Sequence, residues 1–463
     1  MAKNWVLEID DQFDSIEPAA EIGQWSKRSI YRIPACIKDL NRMAYKPQVV
    51  SFGPYHHGDP DVWPMEEHKH RALLHFLRRA NKRLDEFVAS MGEVVQQLQD
   101  AYQGLDDPWR EKDRFLQLMI LDGCFMLEIM RAATGASRDY AFNDPIFSSH
   151  GMLYTVPYIK RDMLMIENQL PLLALYALLS VESSKPKVSF LLSLLVSWMH
   201  GVKQSVPYAY VFDLGQLEDS INKLVLKFCA PGNGRQSTAS VGLGLHPLDV
   251  FRKSLLYDPT HRSPPVRPDH DGSSEIIRSA VELYEAGIRF KKSKSNSLQD
   301  ISFHHGVLRL PVIVVDDATE YMFLNLMAFE RLHFGAGNEI TSYVFFMDNI
   351  VDSAKDVSLL NSKEIIQNAV GSDKAVAKLF NRLSKDVVLD PESSLDDVHR
   401  KVNNYCRKDI NMWRANLIHT YFRSPWAVLS LAAAIFLLVL TVLQTVYTII
   451  PFYSDNGGAP SPQ

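Results

Sequence analysis

Near its end the chain runs for twenty-four residues, Ala427 to Ile450, without one Asp, Glu, Lys, Arg or His: AVLSLAAAIFLLVLTVLQTVYTII. A bilayer core about 30 Å thick is crossed by about 20 predominantly apolar helical residues. A helix also satisfies its own backbone N–H and C=O groups, which lipid cannot do. The polar members Ser430, Thr441, Gln444 and Thr445 are uncharged, and a few such groups are tolerable at that depth. A buried core helix is the competing reading, but the length of the run and the polar tail beside it, 451–463, favour a transmembrane helix. Whatever precedes it is then a body whose first partner is the lipid bilayer, reached through Ala427 to Ile450.

That body is large. At 463 residues the chain exceeds the size at which one core usually stops growing, so one large or two intimate domains are expected. Hydrophobic residues at 46% and charged residues at 22% are ordinary for a folded protein and unlike a disordered one. The net charge of -5 argues for no nucleic acid partner, since phosphate neutralisation needs a basic surface. Cys36, Cys124, Cys229 and Cys406 stand far apart without CxxC or CxH spacing. Neither a zinc site nor a small disulfide framework is signalled, and packed thiols in a reducing compartment are expected.

The first residues, MAKNWVLEIDDQFDSIEPAAEIGQ, carry acids where a secretory signal needs a basic and then an apolar run. The terminal helix is therefore expected to insert after synthesis. Arg407, Lys408, Arg414 and Arg423 precede it, and no Lys or Arg follows. The positive-inside rule then expects a single-pass protein of the plasma membrane or an endomembrane, with its body in the cytosol.

Along the chain, residues 1–28 read as a flexible lead-in and residues 29–423 as a single helical body. Ser29 to Leu40 reads as an extended piece and a short helix around Pro34. Val49 to Phe52 could form a short strand, bounded by turn signals at Gly53-Pro54 and Gly58-Asp59-Pro60. Helical patterns cover Met65 to about Gln103, Arg114 to Thr134, Asp162 to Leu179 with a bend at Pro171, Phe190 to Met199, and Glu218 to Phe228. From Ala230 to about Ser274 glycines and prolines break every period, which predicts an irregular insertion over about 230–274. Helix resumes over Ser274 to Ala286. Ile288 to Lys291, Ile301 to His304 and Val307 to Val315 then read as a small antiparallel β-sheet with a turn at His305-Gly306. Helices are predicted at Thr319 to His333, Ser342 to Ser353, Asn361 to Val370, Asp373 to Leu383 and Ser394 to Phe422, before a break at Pro425. The fold class is mainly α: a large helical body, a small antiparallel sheet and one C-terminal transmembrane helix.

Several stretches together carry a resemblance. They are IYRIP at Ile30 to Pro34, YKPQVVSFGPYHHG at Tyr45 to Gly58, MEEHK at Met65 to Lys69, LDGCFMLEIM at Leu121 to Met130 and IENQLP at Ile166 to Pro171. EAGIRF at Glu285 to Phe290, DISFHHGVLRLP at Asp300 to Pro311, TEYMFLNLMAFE at Thr319 to Glu330 and YFRSPWAVLSLAAA at Tyr421 to Ala434 complete the set. In this order, over nearly the whole chain, they resemble the plant proteins of domain-of-unknown-function family 247. The resemblance implies a single-pass membrane protein without an established enzyme activity. It also brings a recognition role, because some grass members are implicated as pollen-side determinants of self-incompatibility. The glycine- and proline-rich segment at 230–274 has no firm counterpart in that pattern.

Three constellations invite chemistry. His56, His57, His68 and His70, with Glu66 and Glu67, supply zinc-ligand types. However, His68 and His70 point about 200° apart on a helix, and the i, i+4 pair of HExxH is missing. A rigid turn bonding onto the helix after Met65 is the favoured reading. Asp122, Glu128, Glu167 and Glu330 could serve acid–base catalysis with a histidine, yet no GxSxG, P-loop or GxGxxG supports it. Asp122 and Glu128 must lie outward, or be buried and paired. Glu167, Asn168 and Gln169 form a polar island in an apolar element. Thr319, Asn325 and Glu330 with Asp300 and His304 could form a polar latch between the two halves, or be ordinary exposed faces. No residue is assigned as catalytic, cofactor-binding or metal-binding, and no cofactor is expected. The leading reading is a membrane-tethered binding, recognition or signalling-associated protein with an unknown protein partner; the alternatives are a membrane-bound enzyme of unfamiliar type and, from the resemblance, a pollen-side self-incompatibility determinant.

Overall fold

The computed structural model describes residues 23, 25–39, 41–135, 139–183, 208–230, 242–257, 277–385, 395–409, 413–414 and 425–455. The helix expected over Phe190 to Met199 lies outside the described residues, as does most of the lead-in.

Helices carry the body. In chain order, α1 (Ala35–Lys38) and a 3-10 turn (Arg42–Tyr45) precede α2 (Met65–Ala80), α3 (Leu84–Gly92) and α4 (Val95–Asp100). Next come α5 (Lys112–Ala133), α6 (Ser149–Tyr154), α7 (Val156–Asp162), α8 (Leu172–Glu182), α9 (Tyr208–Cys229), α10 (Pro247–Leu256) and α11 (Ala280–Glu285). Strands β1 (Arg289–Lys292), β2 (Ser302–His304), β3 (Val307–Leu310) and β4 (Ile313–Val315) follow. The chain then returns to helix in α12 (Thr319–Leu332), α13 (Glu339–Ile350) and α14 (Ala354–Ser362). After β5 (Ile366–Asn368) come α15 (Asp373–Leu383), α16 (Asp396–Cys406) and α17 (Pro425–Asp455).

α5 is the axis of the N-terminal half. Every residue from Leu118 to Met130 is buried, so the helix is enclosed all round and not along one stripe. α2, α3, α8 and α9 pack on it. Gly123 lets α8 approach closely, because a Cβ there would lie 2.7 Å from Leu178 Cδ1. One connected set of buried apolar side chains runs from Ile30 to Cys406 and joins the helices to the sheet.

The sheet is small and mixed. β2 and β3 form the expected antiparallel hairpin, with Phe303 opposite Leu308. His305 (φ 50°) and Gly306 (φ 75°) turn it, both in the left-handed region that suits a two-residue hairpin turn. β1 lies parallel to the other edge of β3, Phe290 opposite Leu308, because the connection 293–301 carries the chain across. Pro311 lacks the N–H to extend β3, and β4 pairs instead with β5, in parallel.

Several predicted elements differ. The zone from Met65 to Gln103 is three helices, with Asn81 in the left-handed conformation (φ 50°) ending α2. Asp162 to Leu179 is not one helix: residues 163–171 turn back between α7 and α8. The predicted helix Asn361 to Val370 is the end of α14, a reversal at Glu364 (φ 55°) and β5. Within the expected irregular insertion, the described residues hold α10. Pro247 is a breaker by composition, but at the first turn of a helix its missing N–H is no loss. Among the described residues Val49 to Phe52 pairs with no strand, since side chains take its N–H groups.

α17 contains Leu429–Ile450, 22 residues of mean hydropathy 2.4 with none of its apolar window buried in the protein. It is long and apolar enough to cross a membrane.

Candidate functional site

The segment 163–171 leaves the helical path, and Glu167, Asn168 and Gln169 all turn inward. Ile33 N–H donates to Glu167 Oε1 at 2.7 Å, while Oε2 meets Lys38 Nζ at 2.7 Å and His56 Nε2 at 3.6 Å. Asn168 accepts from Phe52 N–H at 2.7 Å and donates to the carbonyls of Val50 and Asp162. Gln169 donates to the carbonyls of Met163 and Met165 and accepts from Leu248 N–H at 3.0 Å. Just before the turn, Asp162 Oδ2 accepts from the N–H groups of Gln48, Val49 and Val50. Such charge-assisted bonds replace the strand partner that Val49 to Phe52 lacks. Burial raises the Glu167 pKa, but the bonds from His56, Lys38 and Ile33 outweigh it and hold the carboxyl below its usual value. For Asp162 burial wins, and its pKa is raised against the same kind of bonds.

Beneath the GPYHH turn lies a charged cluster. Lys69, with no exposure, places its ammonium 2.7 Å from Asp122 Oδ1, 2.6 Å from Glu66 Oε1 and 2.6 Å from the Ser51 carbonyl. Its three protons therefore have three acceptors. Gly53 N–H donates to Asp122 Oδ2 at 2.8 Å. Burial pushes the Asp122 carboxyl up to about 6 even with Lys69 beside it. Glu128, one helical face away, is buried among Arg79, Arg131 at 3.6 Å and the Tyr140 hydroxyl, which donates at 2.8 Å. Asp122 and Glu128 are thus buried and paired.

The polar residues of α12 do not form one latch. Asn325 accepts from Ile166 N–H at 3.0 Å and donates to the carbonyls of Ala44 and Tyr321, so it ties the C-terminal half to the turn. Glu330 instead pairs with Arg252 of α10 and accepts from the N–H groups of Ile340 and Thr341. Burial raises its pKa, with Arg252 opposing. Thr319 bonds Asp316, Asp300 bonds Ser295, and His304 is exposed.

The histidines diverge. His56 faces Glu167 and His57 packs edge-on to Trp109 at 5.1 Å. His68 Nδ1 accepts from Arg71 at 2.7 Å, and His70 Nδ1 lies 2.9 Å from the Glu66 carbonyl. Among the described residues no three His, Cys, Asp or Glu are grouped to hold a metal ion. Nor does the GPYHH turn bond onto α2 as expected: the Tyr55 hydroxyl donates to the Gln103 carbonyl at 2.6 Å, across to the end of α4.

An open cavity of about 510 Å³ sits where this turn meets the starts of α2 and α5. That volume falls within the range of small-molecule and peptide-side-chain sites. His57, Trp63 and Trp109 give it aromatic walls, Leu118 and Leu121 an apolar floor, and Glu66, Glu67 and Arg114 a charged rim. Arg114 already lies over the Trp109 indole at 4.8 Å. Among the described residues neither Arg114 nor Glu67 has an ion-pair partner, whereas Glu66 is held by Lys69. Burial lowers the His57 pKa, with Lys69 and Arg114 reinforcing it against Glu66, so the imidazole is neutral at pH 7. Among the described residues, no Ser, Thr or Cys lines the cavity. Of the residues singled out from sequence, His57, Glu66, Glu67 and His70 come together here. Trp63, Trp109 and Arg114 were missed; their signal was two tryptophans beside prolines, Trp63-Pro64 and Pro108-Trp109, at turns before helices.

Comparison with known proteins gives a consistent result. Residues 30–440 match the family described as DUF247, plant protein of unknown function. A UPF0481 protein of Arabidopsis thaliana is 31% identical, with 97% of this chain and 93% of that protein covered. A putative UPF0481 protein of the same plant is 23% identical, with 95% and 93% covered. No solved structure matches the chain. The stretches that carried the resemblance, from IYRIP to the start of the apolar helix, all fall within the matched region, and the chain belongs to the plant DUF247 family.

Proposed function

We propose that this is a membrane-tethered binding protein: α17 spans the bilayer, the body lies on the cytosolic side, and the cavity at His57, Trp63 and Trp109 takes a peptide segment of a partner protein. One contrast carries this reading. The buried acids Asp122, Glu128, Asp162, Glu167 and Glu330 are occupied by internal bonds, whereas among the described residues the cavity rim leaves Glu67 and Arg114 without an ion-pair partner beside the exposed Trp63 indole. Indole faces suit an apolar or aromatic side chain, and opposite charges at the rim suit the flanking backbone or charged groups of a peptide. The basic residues Arg407, Lys408, Arg414 and Arg423 before α17 support the cytosolic placement.

The test is a displayed peptide library panned against the full-length protein in lipid nanodiscs. Enriched peptides should bind the wild type and lose at least tenfold in affinity against Trp63→Ala and Glu67→Gln. Peptides that bind these variants as well as wild type would overturn the cavity as the site. Extraction of the protein from membranes by alkaline carbonate would overturn the tether. One observation favours catalysis as a second reading, the neutral His57 in the cavity wall with a buried, unpartnered Nδ1. Turnover of a bound peptide that His57→Gln abolishes while binding persists would establish it.

A further inference from the structure

The polar residues within Leu429–Ile450 are not scattered. Ser430, Ala434, Leu437, Thr441, Gln444 and Thr448 recur at alternating spacings of four and three, the 3.5-residue repeat of a left-handed helix–helix seam. Thr445 and Tyr447 flank it, and the other faces are Leu, Ile, Val, Phe and the alanines Ala432 and Ala433.

The hydroxyls along the seam are already satisfied. Thr441 donates to the Leu437 carbonyl at 2.8 Å, Thr445 to the Thr441 carbonyl at 2.8 Å, and Thr448 to the Gln444 carbonyl at 2.7 Å. Each threonine therefore presents mainly its methyl group outward. Gln444 differs. Its side-chain amide is exposed and makes no hydrogen bond among the described residues. Water solvates such a group at no cost, but a hydrocarbon interior leaves two N–H donors and a carbonyl without partners, which is expensive.

We propose that α17 pairs in parallel with α17 of a second copy of this chain, with Gln444 of each meeting at the seam. The inference rests on the reading of α17 as a membrane span. A second copy fits because a carboxamide is self-complementary, the N–H of one donating to the C=O of the other. Parallel pairing brings both to the same depth. Ser430 and Ala434, small and on the same seam, let the two backbones approach near the body. A polar residue at one seam position also fixes register, since slipping by one heptad would strand both amides.

The test reconstitutes the full chain, labelled in two colours, into phosphatidylcholine vesicles and reads energy transfer as lipid dilution increases. Carbonate resistance of the same samples reports incorporation separately. Wild type should show dilution-dependent transfer, and Gln444→Leu should weaken association by about three- to thirtyfold while staying carbonate-resistant. Gln444→Asn should retain most of it, and Leu443→Ala on the opposite face should leave it unchanged. Incorporated wild type that stays monomeric, or a Gln444→Leu variant that associates equally, overturns the pairing and leaves the span intact. Failure to incorporate overturns both.

Discussion

The Lys69 ammonium lies 2.7 Å from the Asp122 carboxylate with neither group exposed. Glu66 and the Ser51 carbonyl complete its shell, so the cation couples α2 to α5 and to the chain entering the GPYHH turn. Removing it leaves two buried carboxylates facing each other. Lys69→Met should cost about 3–5 kcal/mol of stability in urea titrations of the detergent-solubilised protein. Lys69→Met combined with Asp122→Asn should cost less than the two single changes added together, because each alone strands a charge.

Gly53 is required for space as well as for backbone conformation. At φ 71°, an added Cβ would fall 2.7 Å from the Tyr102 hydroxyl and 2.8 Å from the Gln169 carbonyl. Gly58 has φ 86° and open space around it. Gly58→Ala should therefore cost only the left-handed penalty, about 1–2 kcal/mol. Gly53→Ala should cost that plus the displacement of Tyr102, and thermal unfolding should order the two variants accordingly.

His246 is fully buried, with Nε2 3.0 Å from the Ser29 carbonyl and Nδ1 accepting from Asp249 N–H at 3.2 Å. That pattern requires a neutral ring, and burial lowers its pKa to about 4, with Asp249 opposing. The unfolded chain takes up a proton near the ordinary value of about 6.5, while the folded one resists until about 4. The contribution of His246 is therefore complete above about pH 6.5 and is lost as pH falls toward 4, at about 1.4 kcal/mol per pH unit. His246→Gln should destabilise most at pH 7.5, and its difference from wild type should shrink steadily down to pH 4.5. A constant gap would show that the histidine is protonated when folded.

Trp63 is 57% exposed and Trp109 only 7%. Trp63→Ala should change stability by less than about 0.5 kcal/mol, yet remove a wall of the cavity. Trp109→Ala should cost about 3 kcal/mol or more through the void it leaves. Peptide binding that survives Trp63→Ala but not Trp109→Ala would point to loss of fold and not to loss of contact.

The helical character of the body was legible because α2, α5, α12 and α15 show apolar residues at helical spacing. What periodicity could not show was where the polar residues inside those elements point. Glu167, Asn168 and Gln169 stand within an apolar run, which reads as helix, yet each side chain has a backbone partner more than a hundred residues away or within its own turn. Their bonds override local propensity, and no local pattern encodes a partner at that distance. α10 was hidden for the opposite reason: Gly242, Gly244 and Pro247 are breakers by composition, although Gly244 leaves room for Val250 and Pro247 begins the helix. The cavity was half legible. Its histidines and acids stand out in the sequence as zinc-ligand types, while the tryptophans that shape it carry no periodic signal.

The long reach of Glu167 and Asn325 also sets a schedule for synthesis. Ile33 waits 134 residues for the carboxylate that caps its N–H, and Ala44 waits 281 for Asn325. At about 5–20 residues per second on a ribosome, the first interval lasts roughly 7–27 s and the second roughly 14–56 s. During that time the apolar residues Ile30, Ile33, Val50 and Phe52, all fully enclosed at the end, have left the exit tunnel without their cover. The N-terminal family motifs thus become native long after they are made, and holdase chaperones have that interval in which to engage them.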